Sequence, residues 1–377
     1  GGAWRDLQSE DIPPIPSEHF NTVLYDGNGS TNNITGVGFQ PDLVWIKQRD
    51  TAVENHNWYD STRGVRNFIV SNSTAANVLG SVNRLNAFGA DGFTVGSDNE
   101  INDSGSKYVA WCWKANGGTT SSNSEGNVTS TVQANTKGGF SIVKWTGDAN
   151  NTTTVGHGLN SAPELIISKN LDTAAADGWP VFTTSIGNDH ALFLNTTAVK
   201  TSTGGTWGST SPTSTVFTVQ DNAANNQSGN EIIAYCFHSV AGYSKIGSYT
   251  GNASDSGPII NTGFEPAWLM IKISDGSGDG WFIVDNKRDT SNPRDIRLFA
   301  NSTAVEASEP GAQVDFFTNG FQIRGSGGGQ GQVNASGSTY LYIAFAATSS
   351  TPTLADSFNA NTYDGSDTIR SIAGLGF

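Results

Sequence analysis

One lysine recurs at the same position in each of three sequence repeats of this 377-residue chain. Each time it follows a short, proline-led apolar stretch, and the three residues are Lys47, Lys169 and Lys272. An ammonium group at a fixed place could bind an anionic ligand or a glycan. The alternative is that the side chain lies along apolar surface and its head group pairs with a local carboxylate. The sequence keeps both interpretations open for this candidate site.

The acidic segment before the last strand of the first repeat is a second candidate site. Its oxygen-bearing side chains are Asp98, Asn99, Glu100 and Asp103. Because Ca²⁺ prefers about six to eight oxygen ligands, this segment could hold a structural calcium ion. The corresponding segment keeps one carboxylate, Asp221, in the second repeat and none in the third. We therefore expect no cofactor other than this one candidate calcium, with a solvated hairpin loop as the alternative.

Neither the histidines nor the cysteines have the spacing of a metal site. The five histidines fall at non-equivalent places in the repeats, and we expect them in loops or at the surface: His19, His56, His157, His190 and His238. Cys112 and Cys236 occupy one equivalent position, where the third repeat has Ala344. A disulfide would have to join core positions of separate domains, so we expect two buried free thiols.

Two repeats carry an aspartate that is followed three residues later by an arginine. These are Asp60 with Arg63 and Asp285 with Arg288, whereas the second repeat has Thr183 and Ile186. Because one repeat lacks the pair, we interpret it as an ion pair that braces a turn rather than as catalytic machinery. The sequence contains no nucleophile elbow, phosphate-binding loop or recurring carboxylate pair. We therefore predict no catalytic residues.

The elements that must position these residues recur in a fixed order. Each repeat opens with an aromatic residue that is followed two positions later by a turn glycine, namely Gly27, Gly147 and Gly251. A proline-led apolar strand follows, which reads PDLVWIK, PELIISK or PAWLMIK, and proline is tolerated as a first strand residue. We align the tryptophans that come next, which are Trp58, Trp179 and Trp281. A turn rich in Asn, Ser and Thr ends this half of each repeat.

Each repeat closes with a Phe-led strand, an Asn-x-Ser-Gly turn and a final strand. The final strands read YVAWCWK, IIAYCFH and YLYIAFA. In the first of them, Trp111 and Trp113 lie on one face, whereas Ala110 and Cys112 lie on the other. Large apolar residues on one face and small ones on the other predict a central strand that is covered on both sides.

A repeat length of roughly a hundred residues indicates whole domains rather than small stacked units. We predict an all-β chain of tandem antiparallel β-sandwich modules. The boundaries are residues 1–18 for a leader or linker, 19–116 for the first repeat, 117–138 for a linker, 139–242 for the second repeat, 243–350 for the third and 351–377 for the truncated start of a fourth. Because almost no spacer separates the second and third repeats, we expect those two to pack rigidly and the first to be more mobile.

The C-terminal segment repeats the start of the first repeat. Residues 358–377 match residues 20–39 at nine positions without a gap. So short a segment buries too little apolar area to be stable alone, at about 25 cal/mol per Å² against about 1–2 kcal/mol of ordering entropy per residue. We therefore expect it to lend its strand to another chain or to a following module, which would produce head-to-tail self-association.

Composition excludes several classes of function. Only 14% of the residues are charged, the net charge is −14, and Lys and Arg together number 20. The chain therefore lacks the basic surface that binds a nucleic-acid backbone or an anionic membrane. No apolar run reaches the roughly 18 residues of a membrane helix. The 45 glycines favour short strands joined by turns over helix bundles.

Together these motifs resemble a repeated domain of tailed-phage virion proteins, especially those of marine phages. The resemblance rests on GFQPDLVWIK, DGFTVGS, YVAWCW, YSKIGSYTGN and TGFEPAWLMIK, and it extends over nearly all of residues 19–377. Proteins of this kind are often labelled tail fibre or lectin-like. The resemblance implies a β-sandwich of concanavalin A-like or jelly-roll type in a virion appendage, and it brings no catalytic residues with it.

The expected function is that of a non-enzymatic virion structural protein, a tail fibre or spike-like appendage that adheres to cell-surface glycans. Its location would be the virion surface or the extracellular space. Its partners would be other copies of itself, other virion proteins or a host glycan. A capsid-decorating or filament-forming protein is the first alternative. A glycan-cleaving enzyme of the lectin/glucanase kind is the second; it requires two carboxylates about 5–10 Å apart, and no such pair stands out in the sequence.

Overall fold

The computed structural model describes residues 13–50, 53–174, 178–202, 206–208, 210–325 and 327–346. This part of the chain is all-β, with antiparallel sheets and one α-helix of a single turn. No helix within these ranges is long and apolar enough to cross a membrane. Most of the predicted leader, residues 1–12, and the repeated C-terminal segment, residues 351–377, lie outside the described residues.

The strands of the described chain form three successive groups. The first group comprises β1 (Phe20–Asp26), β2 (Asn32–Thr35), β3 (Leu43–Gln48), β4 (Asn57–Asp60), β5 (Asn67–Val70), β6 (Val78–Leu79), β7 (Leu85–Gly89), β8 (Gly92–Val95), the helical turn α1 (Asn99–Asn102) and β9 (Lys107–Trp113). The second comprises β10 (Ser121–Asn123), β11 (Ser130–Asn135), β12 (Phe140–Thr146), β13 (Thr153–Gly156), β14 (Leu165–Asn170), β15 (Pro180–Thr183), β16 (His190–Phe193), β17 (Thr201–Ser202), β18 (Val216–Val219) and β19 (Glu231–Phe237). The third comprises β20 (Ser244–Thr250), β21 (Ser256–Asn261), β22 (Pro266–Ile273), β23 (Phe282–Asp285), β24 (Ile296–Phe299), β25 (Ala307–Ser308), β26 (Gln313–Phe317), β27 (Gly320–Arg324) and β28 (Thr339–Ala346).

The same strand order recurs in three large sheets. The first sheet runs β1-β9-β3-β4-β5-β6, the second contains β12-β19-β14-β15-β16-β17, and the third runs β20-β28-β22-β23-β24-β25. In each one, the closing strand of the sequence repeat lies between the opening strand and the proline-led strand. A small sheet accompanies each large sheet: β2-β8-β7, β13-β18 and β21-β27-β26. We term each large sheet with its small sheet a sheet pair, numbered one to three along the chain.

Each large sheet buries its outer face against the small sheet of its own pair. In the first pair, Ala110 and Cys112 of β9 join a cluster with Phe93 and Val95 of β8. Equivalent clusters bury the outer faces of the second and third large sheets. Both predicted properties of the closing strand, its central place in the sheet and its burial on both faces, are confirmed.

The inner faces of the three large sheets meet in one shared apolar core. It contains Trp111 from the first sheet, Phe237 from the second, and Trp268 and Phe345 from the third, each at most 5% exposed. The ring centroids of Trp268 and Trp111 are 6.2 Å apart, and those of Phe237 and Phe345 are 6.0 Å apart. The large face of the closing strands therefore does not form three separate cores. It forms the single core that joins the sheet pairs.

The first repeat is not loosely attached, which was the reason to expect that it would be more mobile than the other two. Its large sheet contributes Phe20, Trp45 and Trp113 to the shared core, and the Trp113 ring lies 5.8 Å from that of Trp268 in the third sheet. Spacer length was the wrong criterion, because contact across the shared core fixes the first sheet pair whatever the length of the connecting chain.

The predicted linker at residues 117–138 contains two strands, β10 and β11. Strand β11 lies between β12 and the edge strand β10 in the second large sheet. Val132 of β11 is buried in the outer core of the second pair, and Gln133 Nε2 donates to Thr62 Oγ1 of the first pair at 2.7 Å. The Ser, Thr and Asn content suggested a flexible linker. The segment instead forms part of the second large sheet, and Gln133 joins it to the first sheet pair.

The turn glycine and the Asn-x-Ser-Gly motif are two sides of one contact. A Cβ atom on Gly27 would lie 2.0 Å from the main-chain oxygen of Asp103, so the two chain segments can approach only at glycine. Asn102 holds the approaching segment, because its Oδ1 accepts from Asn28 N at 3.0 Å. The other two sheet pairs repeat this contact with Gly147 and Asn226, and with Gly251 and Asn334.

Because one core joins all three sheet pairs, we predict that the chain unfolds in a single cooperative transition. Trp268→Ala should lower the free energy of unfolding by about 3–5 kcal/mol, the usual cost of truncating a buried aromatic side chain. Urea unfolding followed by far-UV circular dichroism and by indole fluorescence should give coincident curves, and the substitution should shift both.

Ile259→Ala is the matched control, because Ile259 lies on β21 of the same sheet pair and is 68% exposed. It should change the free energy of unfolding by less than about 0.5 kcal/mol. Two separate transitions, or loss of the third sheet pair alone in Trp268→Ala, would contradict the shared core.

Candidate functional site

The three sheet pairs contact one another through the Asn-led turns that follow β5, β16 and β24. Three main-chain hydrogen bonds are equivalent: Asn77 N donates to Leu171 O at 2.8 Å, Lys200 N to Ser274 O at 3.0 Å, and Glu306 N to Arg49 O at 2.9 Å. They join pairs one and two, pairs two and three, and pairs three and one. We term these contacts the 1–2, 2–3 and 3–1 junctions. Since the third pair donates to the first, the junctions close a ring.

Two of the recurring lysines hold the turn of the neighbouring sheet pair. Lys47 Nζ donates to Thr303 O at 3.1 Å across the 3–1 junction, and Lys272 Nζ donates to Thr197 O at 3.1 Å across the 2–3 junction. Each head group also donates to a carbonyl oxygen of its own sheet pair, at 2.9 and 2.7 Å respectively. An ammonium group has only donors, and main-chain oxygens of two sheet pairs accept from it here.

Lys169 donates to oxygens of its own sheet pair, Asn170 O at 2.8 Å and Thr173 O at 3.5 Å. All three recurring lysines have no exposed surface. The prediction that their head groups extend along the surface to a carboxylate is wrong. The head groups are buried and donate to carbonyl oxygens in the interior instead. An anion or glycan in solution cannot reach these ammonium groups in the closed ring.

Burial changes the acidity of these lysines. It lowers the pKa of Lys47, Lys169 and Lys272 from about 10.5 to about 8, because water no longer solvates the ammonium form. Glu54 and Glu306 oppose this shift at Lys47 by favouring its charged form. The three lysines are therefore cationic at neutral pH, and the carbonyl oxygens that accept from them stabilise the positive charge.

The aspartate and arginine pairs brace a turn, as predicted, and they also join sheet pairs. Asp60 Oδ1 accepts from Arg63 N at 2.8 Å, and Asp60 Oδ2 lies 2.5 Å from Arg63 Nε. The same Oδ2 accepts from the Tyr235 hydroxyl of the second pair at 2.7 Å. At the 3–1 junction, Asp285 Oδ2 accepts from Trp111 Nε1 of the first pair at 3.1 Å. Each buried carboxylate thus links its own turn to a neighbouring large sheet.

The 2–3 junction replaces this polar contact by an apolar one. The third pair has Ile343 at the position from which Tyr235 and Trp111 donate in the other two pairs. The second pair has Thr183 at the position where Asp60 and Asp285 accept. Ile343 packs in the shared core together with Ile186, which replaces the arginine. Donor and acceptor are therefore lost together. This joint loss is visible in the sequence, because the second repeat lacks the Asp and the Arg, and the third repeat lacks the Tyr or Trp that would donate.

The first repeat was aligned with the others at the wrong residue. The position of Trp179 and Trp281 is held by His56, and not by Trp58. In all three repeats the main-chain N–H of this residue donates to the Asn side chain of the Asn-led turn, at 2.8 to 3.1 Å. Residue type favoured Trp58, but this hydrogen bond places the equivalent residue two positions earlier.

The side chain at this position reaches across a junction. Its ring N–H donates to a main-chain oxygen of the neighbouring sheet pair, with Trp179 Nε1 bonded to Val70 O at 3.0 Å and Trp281 Nε1 to Phe193 O at 2.9 Å. At the 3–1 junction the His56 ring faces the main chain of Phe299. Sequence analysis missed this histidine because the aromatic residue of the first repeat was sought in the wrong place.

Four of the five histidines lie in loops or turns, as expected, but they are buried rather than at the surface. They are at most 8% exposed: His19, His56, His157 and His238. Burial lowers the pKa of His19 and His157 to about 4, because the imidazolium form loses its solvation. The ring of His157 lies 3.1 Å from Thr213 O and 3.1 Å from Leu159 N. Such a ring serves packing and local hydrogen bonding rather than catalysis.

The candidate calcium ligands do not fit a calcium ion. Residues Asn99–Asn102 form α1, and Asp98 caps this turn by accepting from Glu100 N, so the solvated hairpin loop is also wrong. Arg84 lies between the two carboxylates, 2.9 Å from Asp98 Oδ2 and 2.7 Å from Glu100 Oε2. The guanidinium group occupies the position that a cation would need. Asp103 belongs to the glycine contact described above.

The two cysteines are free and buried, as predicted. Burial raises the pKa of both thiols above its ordinary value, because the interior disfavours a thiolate. Cys112 lies in the outer core of the first pair and Cys236 in that of the second. Neither thiol has the exposure or the positive surroundings of a nucleophile.

The exposed candidate site is an open groove of about 410 Å³ beside the small sheet of the third pair. It is lined by Asp255, Pro293, Pro310, Gln313, Asp315, Arg324 and Gly325. Arg324 Nε lies 2.7 Å from Asp315 Oδ2. A second groove of about 230 Å³, beside the small sheet of the second pair, has uncharged polar lining: Asn151, Thr152, Thr154, Gly208, Thr210, Thr218 and Gln220. Sequence analysis missed both grooves because each is assembled from distant segments.

The Tyr235 contact provides a test of how the junctions are held. Tyr235→Ile should lower the free energy of unfolding by about 1–3 kcal/mol, because a buried carboxylate loses a hydrogen bond. Adding Asp60→Thr and Arg63→Ile copies the apolar 2–3 junction. The triple variant should recover most of the loss, because apolar residues replace a buried ion pair at little cost. Urea unfolding of each variant gives the free energies.

Asp60→Thr alone is the control for this series. It should cost about 3–5 kcal/mol, because the Arg63 guanidinium is left buried without its partner. If the triple variant were as unstable as the summed single substitutions predict, the three positions would not act as one contact, and the account of the 2–3 junction would be wrong.

Comparison with known proteins gives a family but no named relative. A search of curated proteins found no significant match. A family model described as a domain of unknown function, DUF7483, matches residues 15–349. The match begins in the segment before β1 and ends just after β28, so one family model spans all three sheet pairs. The chain therefore belongs to the family of the domain of unknown function DUF7483.

Proposed function

We propose that the chain is a non-enzymatic structural protein of a phage virion, a tail fibre or spike-like appendage at the virion surface or in the extracellular space. The observation that carries the proposal is the use of the recurring polar side chains. Lys47, Lys272, Asp60 and Asp285 all bond across junctions between sheet pairs. Polar groups that recur in an enzyme would converge on an open site, whereas these hold a rigid body together.

In this proposal each sheet pair is a β-sandwich module of concanavalin A-like or jelly-roll type, and three tandem modules build the body. Support comes from the outer cores, in which a large and a small sheet pack face to face. The three junctions give one chain an arrangement that three chains of a trimeric fibre would otherwise provide. The lateral contacts between sandwiches then lie within the chain, and further copies or other virion proteins would attach at its outer surface.

Adhesion to a host-surface glycan is the second part of the proposal. The groove of the third pair replaces the buried lysines as the candidate glycan site. Arg324, Gln313 and Asp255 offer donors and acceptors for sugar hydroxyl groups, and Pro293 and Pro310 offer apolar surface for a sugar ring. The groove is open, and its volume of about 410 Å³ lies within the usual range of small-molecule sites.

Two alternative functions are compatible with the same geometry. A capsid-decorating or extracellular filament-forming protein would use the same rigid body with another attachment. A glycan-cleaving lectin/glucanase-type enzyme would use Asp255 and Asp315, two carboxylates that line one groove. Arg324 engages Asp315 in an ion pair, and a general acid needs a free carboxyl group that can hold a proton. The ion pair favours the adhesive role over the catalytic one.

Antibodies raised against the recombinant chain should bind phage particles that carry it. Immunogold electron microscopy should then place the label on tail fibres or spikes, because the proposal puts this surface outside the particle. Label on the capsid would instead support the decoration alternative. Label only on filaments that are not attached to particles would rule out the virion appendage.

Glycan-array binding tests the groove. Asp255→Ala with Gln313→Ala should weaken binding of the glycans that the native chain selects by at least about tenfold, since each removes a hydrogen-bonding group from an exposed site. Thr154→Ala with Gln220→Ala, in the groove of the second pair, is the matched control and should not change this binding.

If the control variant loses binding while the groove variant keeps it, the glycan site is misplaced. Release of reducing sugar from the selected glycan, abolished by Asp255→Asn, would instead support the enzyme. A native chain that binds no glycan would remove adhesion and leave the structural proposal to the immunogold result.

A further inference from the structure

The ring closes at the 3–1 junction through a histidine where the other two junctions have a tryptophan. His56 is fully buried, and Trp45 Nε1 donates to its Nδ1 at 2.9 Å. Because an indole N–H can only donate, Nδ1 must carry a lone pair, and the ring proton is on Nε2. The ring also faces the main chain of Phe299 in the third sheet pair. Only the neutral imidazole with this tautomer satisfies Trp45.

The charged groups around His56 oppose a second ring proton. Burial is the largest effect, and together with Lys47 and Arg288 it holds the pKa of His56 well below its usual range. The carboxylates of this junction are engaged with cations: Asp285 with Arg288, Glu306 with Arg49 and Arg288. A further carboxylate, Glu54, acts on Lys47. No carboxylate in this set is left to stabilise an imidazolium ring.

A second proton on His56 would break the hydrogen bond that its Nδ1 accepts from Trp45 Nε1. Its Nδ1–H and Trp45 Nε1–H would be two donors facing each other in a dry interior. The new charge would also be the third cation beside Lys47 and Arg288. When the junction opens, water reaches the ring and the proton is accepted at the ordinary histidine pKa near 6.5. The closed form is therefore fully favoured above this pH and loses stability as the pH falls below it.

We propose that the 3–1 junction is an acid-sensitive closure of the ring: protonation of His56 weakens this junction, while the 1–2 and 2–3 junctions stay closed. Trp179 and Trp281 hold the same position at those two junctions and do not titrate. The 3–1 junction also joins the first and last sheet pairs, which are not consecutive along the chain. It can open without separating sheet pairs that a short chain segment connects. This inference does not depend on the virion role proposed above.

Two other buried histidines, His157 and His19, do not single out this junction. His157 lies inside the second pair, where both ring nitrogens face main-chain groups of that pair. His19 contacts Asn135 of the second pair and Tyr243 of the segment that leads into the third. Protonation of His19 would therefore act on two sheet pairs at once, and its effect would not be confined to the 3–1 junction.

Three equivalent main-chain N–H groups report on the junctions separately: Asn77 on 1–2, Lys200 on 2–3 and Glu306 on 3–1. Hydrogen exchange measured by mass spectrometry at about pH 7.5 and about pH 5, corrected for the intrinsic rate, gives an opening equilibrium at each. With an open-state pKa near 6.5, the 3–1 opening equilibrium should rise about 30-fold over this range. The Glu306 amide should lose about 30-fold more protection than the other two.

Two variants separate titration of His56 from general acid sensitivity. His56→Gln keeps an acceptor for Trp45 but cannot titrate, so the three amides should respond alike to acid. Trp45→Ile with His56→Trp copies Ile167 and Trp179 of the second pair, and it should give the same result. The double variant therefore provides the test if the glutamine variant does not fold.

His157→Gln is the matched control, because it removes a buried histidine that lies away from the 3–1 junction. The selective response of the Glu306 amide should persist in this variant. Equal responses of the three amides in the native chain would overturn the proposal. So would a selective response of Glu306 that persists in either His56 variant, because some other group would then be responsible.

Discussion

Each large sheet presents two apolar faces, and the inner faces can be covered only by one another. Trp268 illustrates the constraint, because its ring contacts Trp111 of the first sheet and Phe345 of its own. A sheet pair taken alone would expose a face of tryptophan, tyrosine and phenylalanine side chains to water, which is unfavourable in proportion to area. Burial of the inner faces therefore contributes much of the stability of the fold, and the polar contacts at the junctions must be compatible with that burial.

The polar contacts at the junctions contribute more to the choice of which sheet pairs meet than to the strength of the contact between those sheet pairs. A buried ion pair contributes little net stability, because desolvation offsets the attraction between its charges. Its benefit lies in selectivity: Tyr235 needs an acceptor such as Asp60, and Trp111 needs Asp285. An apolar Ile343 placed against either carboxylate would leave a buried charge with a missing hydrogen bond. Three chemically different junctions thus prevent the three similar sheets from closing in another order.

The sequence was sufficient for features that depend on local pattern. Alternation around Trp111 identified a central, doubly covered strand, and the position of Cys112 identified a buried thiol. The sequence was insufficient where the environment of a residue depends on a distant partner. A large apolar face looks the same in the sequence whether a small sheet or two other large sheets cover it. The burial of Lys47 has the same origin, since its acceptor Thr303 lies 256 residues away along the chain. His56 was missed because a turn hydrogen bond, rather than residue type, fixes its position.

Recurrence within the chain separates two kinds of residue here. Side chains that recur, such as Lys47 and Asn102, are buried, and the Asn102 contact is the same in each sheet pair. They report on the fold, because the three pairs face the same packing problem. Function that differs among the pairs must come from residues that do not recur. The groove lined by Asp255 and Arg324 belongs to the third pair, and the histidine at a junction belongs to the first. A role that differs among the sheet pairs is therefore expected at these two asymmetric positions.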